Sequence, residues 1–188
     1  MYEQKFISRW FTIMIVVFFS VNSSIVFSES NSTEVLLDKL SKSKTQSDAK
    51  KLRERIWDYW LNAISLEHKK KVNDAMFKIN SGQISLAEKA FSEIIKVEPN
   101  YMEAWNKRAT IRYMRGNLEG SLSDINEVLS RQPRHFGAIS GMSLIFLAQK
   151  KYEDALDNYL LLKRIDPMNL DAQKFIPILE VYVYGNTT

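Results

Sequence analysis

The chain has 188 residues, 45% of them hydrophobic, with no cysteine, two histidines and a formal charge of +4. That length suits one globular domain with a real core. The missing cysteines exclude disulfides, thiolate nucleophiles and cysteine-ligated zinc or iron, so any site must be built from oxygen and nitrogen groups. The 26 basic and 22 acidic residues are too balanced and too scattered for the concentrated basic face that nucleic acid requires.

At the N-terminus, Lys5 and Arg9 precede an apolar run from Trp10 to Val21, and small polar residues follow in "NSSIVFSES". This is the order of a secretory signal, a basic start, an apolar middle and small residues at the cut. Residues 1–28 therefore read as a signal peptide cleaved after Ser28. A retained membrane anchor is the alternative, although Ser20, Asn22, Ser23 and Ser24 interrupt the stretch before the roughly 20 apolar residues of a spanning helix are complete. On either reading the rest of the chain is exported, periplasmic if released and membrane-attached if not. Without disulfides it must then be stable on packing alone.

Residues 29–66 hold a short linker and two helices. "STEVLLDKLSKS" is capped by Ser32 or Thr33 and puts Leu36, Leu37 and Leu40 on one face. In the next segment Ala49, Leu52, Ile56, Tyr59, Trp60 and Ala63 recur every three or four residues, with Ser47 as the expected cap. On such a stripe Trp57 and Trp60 read as packing groups.

From residue 68 the chain repeats. Pro99, Pro133 and Pro167 are 34 residues apart, and so are the members of the columns Ala75/Ala109/Ser143, Ala87/Ser121/Ala155, Phe91/Ile125/Tyr159 and Gly82/Gly116/Lys150. Small residues let paired helices approach, the aromatic or aliphatic residue fills the gap beside them, and each proline ends a second helix. The periodicity predicts helix pairs over about 68–80 with 84–97, 101–114 with 118–131, and 135–148 with 152–165. A last helix begins near Leu170, and Pro177 is expected to kink or break it.

A 34-residue period with this pattern resembles the tetratricopeptide repeat. The second copy keeps Trp105, Ala109 and Pro133 of the family pattern and departs from it at Arg108, Arg112 and Ser121; the third keeps Phe146, Ala155, Tyr159 and Pro167. "EAWNKRAT", "PRHFGAISG" and "LLDKL…RIWDYW" are similar to exported bacterial proteins of this kind over about Val35 to Asp166. The resemblance implies an all-α, right-handed α-solenoid of three helix-turn-helix units, 68–101, 102–135 and 136–169, making up 68–169. The two helices before them and the helix of 170–188 would act as caps.

In such stacks the first helix of each pair lines a concave groove. The resemblance places Lys69, Val72, Met76 and Ile79 there from the first unit, Glu103, Asn106, Thr110 and Tyr113 from the second, and Gly137, Ser140, Leu144 and Leu147 from the third. It implies a protein or peptide partner. The lysine and asparagine arrangement by which some family members grip a C-terminal carboxylate is not evident at these positions.

Arg134 and His135, at a helix start, are candidates for an anion contact. Gly137 and Gly141, one turn apart inside a helix, signal a close approach, usually by a neighbouring helix. Catalysis has little support: the two histidines do not converge, adjacent carboxylates such as Glu153 and Asp154 point apart, and there is no H-E-x-x-H, phosphate loop or serine elbow. A non-enzymatic interaction module without cofactor, metal or nucleic acid is the expectation. It touches a membrane only if the N-terminal segment is retained.

Overall fold

The computed structural model describes residues 33–185. The N-terminal apolar run, the expected cut after Ser28 and the candidate cap Ser32 lie outside the described residues. All regular structure within them is helical: α1 (33–40), α2 (Gln46–Asn62), α3 (Leu66–Asn80), α4 (Ile84–Val97), α5 (Met102–Met114), α6 (Leu118–Arg131), α7 (Phe136–Ala148), α8 (Tyr152–Ile165) and α9 (Leu170–Tyr184). No helix among the described residues is long and apolar enough to cross a membrane.

Local chemistry sets the helix boundaries. α2 is capped by Thr45 rather than by Ser47: the Thr45 hydroxyl accepts from the Asp48 amide at 3.1 Å and donates to the Asp48 carboxylate at 2.8 Å. Thr45 is extended, as a capping residue must be, whereas Ser47 lies inside the first turn. The tight turns α3–α4 and α5–α6 need a left-handed residue, supplied by Gly82 at φ 74° and Gly116 at φ 75°. Lys150 takes the same place in the third unit at φ 58°, a conformation that strains an L side chain.

The helices pair as α3 with α4, α5 with α6 and α7 with α8, and the pairs stack in order, with α9 on α8. The small-residue columns lie inside: Ala75, Ala109, Ser143, Ala87, Ser121 and Ala155 are all buried, as are Phe91, Ile125 and Tyr159 beside them. Each buried aromatic or branched side chain contributes about 1.5–3 kcal/mol. Close packing explains why the columns admit only small residues, because an added branch there would cost about 1–3 kcal/mol. Ser121 replaces alanine without penalty, since its hydroxyl donates to the Ala109 carbonyl at 2.7 Å.

The two remaining departures in the second unit form a charge network. Arg108 grips buried Asp124 with two bonds, Nε to Oδ2 at 2.9 Å and Nη2 to Oδ1 at 2.8 Å. Arg112 reaches the same carboxylate at 3.0 Å and Glu88 of α4 at 3.1 Å. Burial pushes the Glu88 carboxyl up, but hydrogen bonds and charge from Arg112 and Arg115 outweigh it and hold the group below the usual carboxylate range.

At each junction an alanine faces the preceding unit. Ala104, Ala138 and Ala172 are buried, but in α3 the same column is exposed Lys70, followed by exposed Asp74. On α9 the columns that elsewhere meet a second helix are Gln173, Pro177 and Glu180, all exposed. The outer face of α3 is thus charged at Lys70 and Asp74 but also bears Phe77, 64% exposed in the column where Ile111, Ile145 and Leu179 are buried, and that of α9 is polar on either side of Pro177. Of the kink or break expected at Pro177, the break does not occur: α9 continues through it, where no helix packs and the carbonyl that loses its donor can be hydrated.

Candidate interaction groove

The first helices α3, α5, α7 and α9 recur at the 34-residue period, with α5 directly against α7, so residues 34 apart form rows across the stack. Two lanes result. One is made by the N-terminal halves of these helices, and the other by their C-terminal halves.

The first lane is covered by α1 and α2, which lie along the inner side of the stack and not at its end. Gln46 at the start of α2 donates to the Met168 carbonyl just before α9 at 2.7 Å, and Arg53 pairs with fully buried Asp166 at 2.8 Å. Midway, Trp57 lies against α7 so closely that a Cβ on Gly137 would come within 2.9 Å of its ring. At the far end the Tyr101 hydroxyl, just before α5, donates to the Leu61 carbonyl at 3.2 Å. α1 is tied down by Arg134, which pairs with Glu34 at 3.0 Å and Asp38 at 2.7 Å, while Leu36, Leu37 and Leu40 join the core shared by α2, α7, α8 and α9. The close approach signalled by Gly137 is therefore that of a helix, and a Cβ on Gly141 would meet Ile125 of α6 at 3.4 Å.

Beneath α2 lies a closed polar cluster. His135 caps α7: its Nδ1 accepts from the Ala138 amide at 3.0 Å, which leaves the Nε2 hydrogen to donate to Glu103 at 2.7 Å. Asn106 donates to the other Glu103 oxygen at 3.0 Å. Glu103 sits in the first turn of α5, where the helix dipole favours a carboxylate. Trp60 stacks on the His135 ring at 4.1 Å, and Trp57 meets it edge-on at 5.4 Å.

The sequence-predicted groove residues separate accordingly. Glu103 and Asn106 are 0% and 7% exposed and closed off within this cluster, so they are not on an open surface. Arg134 and His135, the candidates for an anion contact, both have acidic partners within the chain. Val72 is buried, Ser140 is half-buried, and exposed Lys69 donates to Asn62 at 2.9 Å. The rest belong to the second lane: Met76, Ile79, Tyr113, Leu144 and Leu147 are half-buried and Thr110 is exposed.

That lane extends further than the sequence reading carried it. Adding 34 to Leu144 and Leu147 gives Ile178 and Val181 of α9, which are 46% and 51% exposed. The neighbouring row brings in Met114 at 60% and Tyr182 at 66%, the latter stacked on Tyr152. The period itself carried this signal, but treating α9 only as a cap hid it. The lane is apolar across all four helices apart from Asn80 and Thr110, and the Thr110 hydroxyl is spent on the Asn106 carbonyl at 3.1 Å. Among the described residues no group of acidic or histidine side chains could hold a metal ion.

Stacked antiparallel helix pairs with a groove on one side define a helical-repeat solenoid. Its helix pairs have the fold of tetratricopeptide repeats. The chain is 40% identical over 103 residues to a TPR repeat-containing protein of Rhizobium etli, covering 51% of this chain and 47% of that protein. It thus spans about half the length of that curated relative. Among solved structures it is similar to the first TPR of Spaghetti bound to the HSP90 peptide SRMEEVD, with a TM-score of 0.57 and 16% identity over 60% of this chain and 89% of that one. It is also similar to MamA from Desulfovibrio magneticus RS-1, with a TM-score of 0.56 and 14% identity over 82% of this chain and 87% of that one. No protein-family model matches the sequence.

Proposed function

We propose that this chain is a non-enzymatic protein-interaction module that holds a segment of a partner protein on the second lane of its groove. The observation that carries this reading is the row of accessible apolar residues at one period across four adjacent helices, from Met76 to Val181. Exposed apolar surface arranged in this way is costly unless a partner covers it. The peptide bound to the structurally similar first TPR of Spaghetti supports a peptide or protein as the ligand class.

The order of charge and apolarity at the N-terminus supports action in the cell envelope, as a released protein beginning at Glu29 or as an anchored assembly subunit. Intact mass of the native protein and its need for detergent separate these two forms. The groove is tested by placing a photo-crosslinking side chain at Thr110, with Glu93 on the exposed side of α4 as the control. Partner adducts from Thr110 and none from Glu93 are the expected result. Adducts from Glu93 alone would move the interaction off the groove.

A further inference from the structure

The outer side of α3 is where the repeat pattern runs out. In α5, α7 and α9 the columns that meet the second helix of the preceding unit hold Ala104, Ala138 and Ala172, then Ile111, Ile145 and Leu179, all buried. α3 carries exposed Lys70 and Phe77 in those columns, and its main neighbour among the described helices is α4. Leu66, the first residue of α3, is 87% exposed. Polar residues keep the end of a repeat stack soluble. Large apolar side chains at such an end mark a surface that another surface covers.

The spacing of these residues is complementary to itself. Leu66 and Phe77 are 11 residues apart, which returns to the same side of a helix within about 20°. α4 repeats the spacing with exposed Leu86 and Val97, about half a turn round the helix from Glu88 and Ser92, which meet α5. His68 Nδ1 lies 2.7 Å from the Glu98 carboxylate, so Leu66 and Val97 stand at one end of the pair, while Phe77 and Leu86 flank the turn at the other. The midpoints of the two spacings are level, each about ten residues from Gly82. A two-fold axis through that level lays α3 antiparallel on its copy, with Leu66 against Phe77 and Leu86 level with Val97. Between these ends Lys70 comes opposite Asn73 and beside Asp74 of the second copy. Asp74 holds Lys78 of its own helix with one oxygen, leaving the other for this contact.

The two ends of the stack do not fit each other. α3 and α9 are both first helices, so head-to-tail contact would set one first helix against another where the repeat requires a second helix. α9 also offers Gln173, Pro177 and Glu180 there rather than an apolar face. We propose that the outer side of α3 and α4 joins two copies of this chain about a two-fold axis, with α3 antiparallel to its counterpart. Two helices of about 21 Å by about 10 Å each cover roughly 400 Å² per copy. That is below the roughly 800 Å² per partner of stable complexes and suits a reversible dimer of micromolar or weaker affinity. The second lane runs along another side of α3, through Met76 and Ile79, so the dimer leaves it accessible.

Analytical ultracentrifugation of the full chain over about 1–200 μM should show a reversible monomer–dimer equilibrium with nothing larger. Phe77→Glu, at an exposed position, should weaken the dimer at least about tenfold while circular dichroism stays unchanged. Lys70→Glu and Asp74→Lys should each weaken it, and the two together should restore it to within about threefold of the parent, because the exchanged charges pair again across the axis. The absence of cysteine allows the register to be tested with a bismaleimide of about 10 Å span. A mixture of Leu66→Cys and Phe77→Cys chains should be linked to each other. Leu66→Cys alone should not, since its two copies lie about 16 Å apart along the helices.

A monomer at every concentration overturns the proposal, and so does growth into species larger than a dimer, which would mean an open head-to-tail chain. A dimer indifferent to Phe77→Glu and to the charge exchange places the contact elsewhere and overturns it as well. Linkage of Leu66→Cys to itself overturns the antiparallel arrangement. A crosslink from Glu93 to a second copy has twice the mass of the chain, so it is not mistaken for a partner adduct, and the groove stands or falls separately on the crosslinks from Thr110.

Discussion

Arg108, Arg112 and Asp124 in the second repeat occupy the columns that Met142, Phe146 and Asn158 fill in the third, 34 residues later. Both units keep the same helix lengths, 13 residues followed by 14, and both bury the small-residue columns between their helices. Interdigitated charges thus do in one unit what thioether and aromatic packing does in its neighbour. The repeat specifies volume and proximity at these columns and leaves polarity to local pairing. The two solutions fail differently, because a buried ion network depends on every member whereas an apolar contact can relax.

The largest break in this comparison is Asp124→Ala. It leaves two guanidinium groups facing each other without their carboxylate, and should cost about 3–5 kcal/mol in chemical denaturation. Asn158→Ala, at the equivalent position, removes only a bond to the Asp154 carbonyl and should stay within about 0.5 kcal/mol. A cost for Asp124→Ala as small as that would mean the network is decorative.

Transplanting the third unit's residues sharpens the same point. The triple change Arg108→Met, Arg112→Phe and Asp124→Asn should be at least as stable as the parent, and more stable by about 1–4 kcal/mol if the new side chains pack. Overpacking around Glu88, which loses Arg112 but keeps Arg115, and around Ser92, which loses Arg108, would show as a lower melting temperature.

A smaller effect separates the units by pH. Glu88 has a carboxyl held below its usual range, so its contribution is fully present above the unfolded-state value of about 4.3 and is lost as pH falls through the lower folded value. Melting temperature should therefore drop on acidification below about pH 4, and the slope should flatten in Glu88→Gln.

The smallest changes are gains in the third unit. The Tyr159 hydroxyl is buried and finds no hydrogen-bond partner among the described residues, and burial pushes the phenol above its ordinary range. Tyr159→Phe, which copies Phe91 of the first unit, should add about 1 kcal/mol. Lys150→Gly, relieving the left-handed strain that Gly82 and Gly116 avoid, should add about 0.5 kcal/mol after the greater chain entropy of glycine is counted.

The sequence by itself determined the period, the helix pairs and the small, aromatic and proline columns, because each of these is written in local terms. A proline stops a helix wherever it stands, a glycine permits a left-handed turn, and spacing of three or four residues marks a face. The helix pairs accordingly begin and end within two residues of the positions read from periodicity. What only the tertiary structure decided is which surface each face meets. The stripe through Ile56 and Trp60 declares an apolar face but not its destination, and the same stripe would serve a cap on α3 or a cover over α5 and α7. The choice rests on contacts between residues about 40 to 120 positions apart, Tyr101 with Leu61, Trp60 with His135 and Gln46 with Met168. No local pattern encodes these. That same choice buried Glu103 and Asn106, which the family resemblance had placed on the open groove, and left Leu144 and Val181 accessible.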